Sequence, residues 1–428
     1  MITKQKGTYD IYGDSAKKRA YVNEILATLS EKYGYGYIET PVFEASELFH
    51  RGVGETTDMV QKETYDFKDR GDRNLTLRPE GTASIVRWFI ENKMYGNMTD
   101  PVKVFYNAKM YRYERPQSGR NREFTQWGFE CFGSDDVISD AEVISLAYNA
   151  YRLLGLDNVC VRLNTLGDDE SRNNYREALV SYFRPHIDSL CEDCKNRLEK
   201  NPLRILDCKV DAENEIMASA PKILDYLNEE SKARFDSLCE LLDLMDINYE
   251  VDQKLVRGLD YYTRTVFEFV SSSIGAQGTV CGGGRYDGLI EELGGQHTPS
   301  LGYAIGIERL LLLLEAQGIE IPAAPTCDIY IAGLGEKAQL KSFELVKTVR
   351  SSSLSAECDI VGRSLKAQMK YADKIGAKFS IVLGDSEIES GKAQLKNMET
   401  GEKTEISLGE NFFSDFYNIY IQSQFAVK

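Results

Sequence analysis

From Ser15 to Tyr33 the residues Val22, Ile25, Leu26 and Leu29 fall on one face at intervals of three and four, the spacing of an amphipathic helix. Asp14 is placed to cap its start and Gly34 to end it. The same spacing predicts a second helix from Ala141 to Leu154, with Asp140 as its cap, Val143, Ile144, Ala147, Tyr148 and Tyr151 as its stripe, and Gly155 after it. A third helix starts near Ile307 and carries Leu310 to Leu314. Between these, polar and apolar residues alternate. Val102 to Glu114 and Phe124 to Phe132 read as strands, joined by the turn-rich charged loop Arg115 to Arg122, so a long antiparallel hairpin is expected. Thr265–Val270 and Gly278–Cys281 read as two more strands.

The pattern changes twice. Residues 168–246 are helical and highly charged, and read as an insertion within a first domain spanning 1–320. The segment from Gly318 to Pro325 is a Pro/Ala linker, after which strands and helices alternate: Asp328–Ala332, helix 337–350, Cys358–Val361, helix 364–375, Lys378–Leu383. That rhythm predicts a small α/β domain over 325–428 with a mostly parallel sheet. The whole is α+β, and 428 residues suit two or three domains.

Composition narrows the setting. With 42% hydrophobic and 28% charged residues the chain resembles ordinary globular proteins. No apolar run approaches the ~18 residues of a membrane span, and the polar stretch Met1 to Tyr12 lacks the apolar core of a signal peptide, so a cytoplasmic location without membrane is expected. A net charge of −16 argues against wholesale coating of nucleic acid but leaves room for local basic stripes. One such stripe is Arg363, Lys366, Lys370, Lys374 and Lys378, at helical spacing, in a domain otherwise near neutrality; a solvated helix face is its plainer reading. Nine cysteines show no regular pairing and read as reduced thiols. Cys191 and Cys194 form a C-x-x-C followed by Cys208, but zinc usually needs four ligands and none stands at a typical fourth spacing, so no metal is expected.

The chemistry gathers on five segments. Side chains two apart on a strand share a face, which pairs Arg112 with Glu114, and Phe124 with Gln126 and Glu130. An exposed row of ion pairs would look the same. In Thr76-Leu-Arg-Pro-Glu-Gly-Thr-Ala83, Pro79 and Gly81 force an irregular backbone that presents Glu80 and Thr82, although a capped helix start would also do so. In Leu255-Val-Arg-Gly-Leu-Asp-Tyr-Tyr-Thr263 an arginine beside glycine precedes two tyrosines, suiting a polar ligand in a tight cleft. Cys281-Gly-Gly-Gly-Arg-Tyr-Asp-Gly288 lets backbone approach a ligand and is not a dinucleotide fingerprint. In Gly302-Tyr-Ala-Ile-Gly-Ile-Glu-Arg309 the guanidinium of Arg309 can stack on a planar base or snorkel from a core helix.

Together these segments resemble the three signature motifs of the class II aminoacyl-tRNA synthetases, and Leu255–Tyr262 with Gly282–Gly288 resembles the histidyl-tRNA synthetases in particular, over nearly the whole chain. The resemblance implies an antiparallel sheet flanked by helices, a C-terminal anticodon-binding domain, and a homodimer formed through Tyr37-Ile-Glu-Thr-Pro-Val42. It implies a histidine–tRNA ligase using ATP with Mg²⁺, with tRNA-His as partner. Under it Arg112 grips the α-phosphate and the substrate carboxylate, with Arg257 beside it; Phe124 and Arg309 sandwich adenine; Glu114 contacts the adenine side; and Arg120 reaches the outer phosphates. Glu80, Thr82 and Gln126 hold the α-ammonium group, while Glu130 and Tyr262 bracket the imidazole, with Tyr261 nearby. Arg363, Lys366, Lys370 and Lys374 contact tRNA, and the insertion clamps the acceptor stem by analogy alone. The alternative is a synthetase-like regulatory subunit of ATP phosphoribosyltransferase, which the full Arg257 motif and the C-terminal domain speak against.

Overall fold

The computed structural model describes residues 1–54, 57, 59–97, 100–321 and 327–426. Residues 322–325 of the expected linker lie outside the described residues. The chain divides into two compact units, Met1–Ile321 and Pro322–Lys428.

The first unit is built on an eight-stranded sheet ordered Gly36–Tyr37, Val102–Tyr111, Glu123–Phe132, Ser300–Gly306, Thr279–Arg285, Thr263–Val270, Cys160–Thr165, Tyr249–Val251. The pairings are antiparallel except at the two edges, where Gly36–Tyr37 and Tyr249–Val251 add in parallel. Alternation divides the central strands between two environments. Trp127, Phe129 and Cys131 point to a core shared with Val22, Leu26 and Leu29 of helix Gly13–Lys32, Ile144 and Ala147 of helix Val137–Leu153, and Leu310 and Leu313 of helix Ile307–Ala316. Gln126, Gly128 and Glu130 point to the opposite face, where the cleft lies.

Three expectations shift: the first helix starts at Gly13 after Tyr12, so Asp14 lies in its first turn rather than capping it, and two more concern the hairpin and the second helix. The outgoing hairpin strand stops at Tyr111 rather than Glu114. The Arg112 N–H still bonds the Arg122 carbonyl at 2.9 Å, but Glu114 N–H turns back to the Arg112 carbonyl at 2.8 Å, which ends the ladder. The second helix begins at Val137, and its cap is Asp136, which accepts the Ile138 N–H at 2.9 Å. Asp140 is instead buried inside that helix as partner of the fully buried Arg285, 2.7 Å away.

The insertion contains helices Asp169–Phe183, Glu192–Lys200 and Glu229–Leu244 and several short turns. Its apolar side chains, among them Tyr175, Leu179, Phe183, Leu198 and Leu203, share one core with Leu255, Val256, Tyr261, Tyr262 and Tyr286 of the cleft floor. It is therefore a wall of the site rather than a free appendage.

The second unit has a five-stranded sheet in the order Ala356–Cys358, Cys327–Gly333, Ala377–Leu383, Lys392–Asn397, Lys403–Ser407. Only the first three strands are parallel; the last two add as an antiparallel meander that the alternation of strand and helix did not predict. The helix carrying the basic stripe is Leu365–Lys374. Lys366, Lys370 and Lys374 are exposed on it, whereas Arg363 precedes it and Lys378 lies on a strand.

Candidate active site

A cavity of about 460 Å³ opens on the polar face of the large sheet, lined by Glu80, Thr82, Arg112, Glu114, Arg120, Gln126, Arg257, Tyr261 and Tyr262. A smaller lobe of about 170 Å³ shares Arg112, Glu114, Arg120, Gln126 and Arg257 with it and adds Phe124 and Arg309. Residues from five distant segments thus converge in one two-lobed cleft; Glu130 does not line it and lies buried behind Gly302, which does.

Glycine makes that cleft possible. In the strand ladder Gly302 faces Glu130, and Gly282 faces both Ala304 and Glu268. A Cβ at 302 would run into the Glu130 carboxylate, and a Cβ at 282 into the Arg257 guanidinium. These two positions leave room for charged groups to lie flat on the sheet.

The smaller lobe is ruled by arginine. Arg112 donates through Nε to the Pro79 carbonyl at 2.8 Å and sits over the Phe124 ring, 5.1 Å from its centroid. Glu114 lies 3.9 Å from Arg112 and 2.5 Å from Arg120. Arg309 is anchored by the carbonyls of Thr279 (2.8 Å) and Gly119 (3.2 Å), and burial, with Arg120 and Arg112 nearby, lowers its pKa from the usual arginine value. Mutually repelling cations around one lobe make a site for an anion. Its mouth is braced by Glu308, which accepts from Arg19 at 2.7 Å and from the Thr125 N–H at 2.9 Å and is bonded to the Tyr9 hydroxyl.

The larger lobe holds carboxylates and phenols. Glu80 is buried and accepts the N–H groups of Thr82 and Ala83, both at 2.8 Å, so it caps helix Thr82–Glu91 while lining the cavity. Burial raises its pKa against those hydrogen bonds. Gln126 leaves its buried amide oxygen without a hydrogen-bond partner among the described residues. Glu130 is 1% exposed and lies beneath Gly302; it accepts from the Thr82 hydroxyl at 2.8 Å and from the Tyr286 hydroxyl. Burial pushes its pKa up to about 8, although both hydrogen bonds pull it down. Arg257 is paired with Glu268, and its guanidinium sits 5.7 Å from the Tyr262 ring centroid. Burial alone would lower its pKa, but Glu268, then Tyr262, raise it overall.

Three contributors escaped the sequence reading. Tyr286 lies within Cys281–Gly288 and Glu268 on a predicted strand, but only the register of distant strands shows what each touches. The insertion supplies Arg204, Asp207 and Lys209 to the cavity wall, and no local pattern marked them. In the second unit Arg363 is held by Asp359 at 2.9 Å and lies over Tyr371, 4.4 Å from its centroid, so the exposed ridge reduces to the three lysines of the helix.

An antiparallel sheet floored with glycine, a motif hairpin carrying arginine and phenylalanine, and an arginine at the start of the following helix define the class II aminoacyl-tRNA synthetases. A family model described as "Histidyl-tRNA synthetase" matches residues 7–310, and one described as "Anticodon binding domain" matches residues 328–412. The chain is 51% identical to the histidine–tRNA ligase of Geobacillus thermodenitrificans over 407 residues, 95% of this chain and 96% of that protein. It is 52% identical to that of Acetivibrio thermocellus over 409 residues, 95% and 98% of the two. The crystal structure of apo S. aureus histidyl-tRNA synthetase superposes with a TM-score of 0.84 at 42% identity, covering 97% of this chain and all of that one. The chain belongs to the histidyl-tRNA synthetase family.

Proposed function

We propose that the chain is a histidine–tRNA ligase that first joins histidine to ATP and then passes it to the 3′-terminal ribose of tRNA-His. The observation that carries this is the junction of an arginine-ruled lobe with a carboxylate–tyrosine lobe in one cleft. A histidine carboxylate oxygen attacks the α-phosphorus of ATP, the bond to the β-phosphate oxygen breaks, and pyrophosphate leaves. A carboxylate is already a nucleophile at neutral pH, so the step needs placement and charge stabilisation rather than a base. Arg112 and Arg257 meet both lobes and neutralise charge at the reacting phosphorus. Phe124 and Arg309 hold adenine between them, Glu114 contacts its edge, and Arg120 reaches the outer phosphates. Mg²⁺ enters as part of the nucleotide substrate, and Glu114 and Glu268 are the hard oxygen donors nearest the arginines.

Glu80, Thr82 and the unpartnered oxygen of Gln126 suit an α-ammonium group. Glu130 and Tyr262 bracket the imidazole, with Tyr261 beside them. An imidazole N–H arriving at Glu130 supplies the donor that favours its ionised form. A ribose hydroxyl of tRNA then attacks the acyl carbon, and AMP leaves. Recognition of the tRNA by the second unit through Lys366, Lys370 and Lys374 is supported by their exposure on one helix. A homodimer is supported by Tyr37, on the parallel edge strand of the large sheet, and by Val42 and Phe43 after it, all three exposed. Near-complete coverage by ligases and the matched anticodon domain favour this reading over a regulatory subunit of ATP phosphoribosyltransferase. Histidine-dependent exchange of pyrophosphate into ATP, followed by charging of tRNA-His, tests it; histidine binding without exchange would point to the regulatory subunit.

A further inference from the structure

Where the insertion borders the cleft, three sulfurs and one carboxylate meet. Cys191 Sγ and Cys208 Sγ are 3.7 Å apart, and Cys208 Sγ is 3.7 Å from Asp211 Oδ2. One ligand atom from each of Cys191, Cys194, Cys208 and Asp211 lies within 4.8 Å of all the others. None of these thiols is in a disulfide, and 3.7 Å is far beyond the ~2.05 Å of a sulfur–sulfur bond. A tetrahedral ion with about 2.3 Å to sulfur and about 2.0 Å to carboxylate oxygen sets its ligands about 3.8 Å apart for two sulfurs and about 3.5 Å apart for sulfur and oxygen. The Cys191–Cys208 and Cys208–Asp211 separations have those values to within a few tenths of an ångström, and the whole set, within 4.8 Å, needs only small side-chain adjustments to close on an ion.

The surroundings suit ligands rather than packing. Cys194 and Cys208 are buried, and the Asp211 carboxylate is 8% exposed among them. The Asp211 N–H points at Cys208 Sγ at 3.5 Å, and the Cys191 N–H points at the Asp211 carboxylate at 3.1 Å. Donors aimed at would-be ligand atoms stabilise their negative charge and fix their direction. Cys191 stands at the start of helix Glu192–Lys200 with Cys194 in its first turn, while Cys208 and Asp211 come from the turns after Pro202–Ile205, so four ligands join two pieces of chain.

We infer that Cys191, Cys194, Cys208 and Asp211 form a closed structural metal site for one zinc ion. Three soft sulfurs select zinc over magnesium or calcium, and four protein ligands leave no open position for chemistry. The site stiffens a functional wall. Cys208 and Lys209 line the cavity, Arg204 Nη1 donates to the Arg257 carbonyl at 3.2 Å, and Asn201 Nδ2 donates to Asp260 at 2.8 Å. The metal assignment stands apart from the ligase reading; its benefit to Arg257 rests on that reading.

Elemental analysis of the full chain, purified without chelator, tests it directly. About one zinc per chain is expected, falling to background in Cys208→Ser and in Asp211→Asn and unchanged in Cys239→Ser. Because a variant can fail to fold, the wild-type chain stripped of metal and reloaded with cobalt gives a second readout: the sulfur-to-cobalt charge-transfer band and the visible bands of a tetrahedral thiolate site. A wild-type chain that neither retains zinc nor develops those bands overturns the site, as does zinc that persists in both variants. Neither result depends on whether the chain activates histidine.

Discussion

Gly302 lies across the strand ladder from Glu130, and the absence of a side chain at 302 is what leaves space for the Glu130 carboxylate. Gly302→Ala should displace that carboxylate from Thr82 and Tyr286. A misplacement of about 1 Å can cost about 100-fold in rate, so histidine-dependent pyrophosphate exchange should fall by about that factor while ATP binding, measured calorimetrically, changes little. Full exchange activity in Gly302→Ala would remove Glu130 from the histidine site.

Glu130 also makes stability depend on pH in a definite direction. Its carboxyl is raised from 4.5 to about 8 by burial. Below its unfolded value both states hold the proton, and nothing is lost. As pH rises towards 8 the unfolded chain ionises while the folded one retains its proton, so the folded state loses ground. Glu130→Gln lacks this term. Its melting temperature relative to wild type should therefore rise steadily between about pH 5 and pH 8, by a free-energy difference no larger than about 5 kcal/mol. A difference that stays flat across that interval would refute the raised value.

Arg257 and Glu268 should behave as one unit. If Arg257 acts at the reacting phosphorus as proposed, Arg257→Gln should cost about 100- to 1,000-fold in kcat, the range typical of a single preorganised donor. It also strands a largely buried carboxylate. Glu268→Gln should destabilise the fold through the opposite loss, and the double variant should be more stable than the sum of the two singles implies. Additive losses in thermal unfolding would show that the pair does not couple.

The lysine ridge predicts a split between the two half-reactions. Replacing Lys366, Lys370 and Lys374 with glutamate should leave pyrophosphate exchange intact and raise the KM for tRNA. If the three meet phosphates, the slope of log affinity against log salt should fall in magnitude by about 2. An unchanged slope would place tRNA elsewhere on the second unit.

Much of this architecture was legible because periodicity reports burial. Val22, Leu26 and Leu29 reveal a helix face, and Phe124 to Phe132 alternates because one side of that strand meets helices and the other a polar cleft. Strand ends were less legible: nothing local says that the ladder stops at Tyr111 when Arg112 and Glu114 continue the alternation. Asp140 satisfies every local rule for a cap, yet its partner Arg285 is supplied from far along the chain. The strands Lys392–Asn397 and Lys403–Ser407 are largely polar on one face and escaped notice. Asp211 was missed because a carboxylate among many acids has no spacing signature of its own; only the fold brings it to the sulfurs.

The ladder that joins Glu123–Phe132 to Ser300–Gly306 governs when the cleft comes into being. A ribosome must release the chain beyond Gly306 before the central pairing of the sheet can form, and every residue of the insertion emerges before that strand does. Pairing across so long a separation is slow, because loop closure precedes the contacts that reward it. The hairpin from Val102 to Phe132 therefore waits during synthesis with its Ser300-facing edge uncovered, an unpaired strand edge of the kind that templates aggregation.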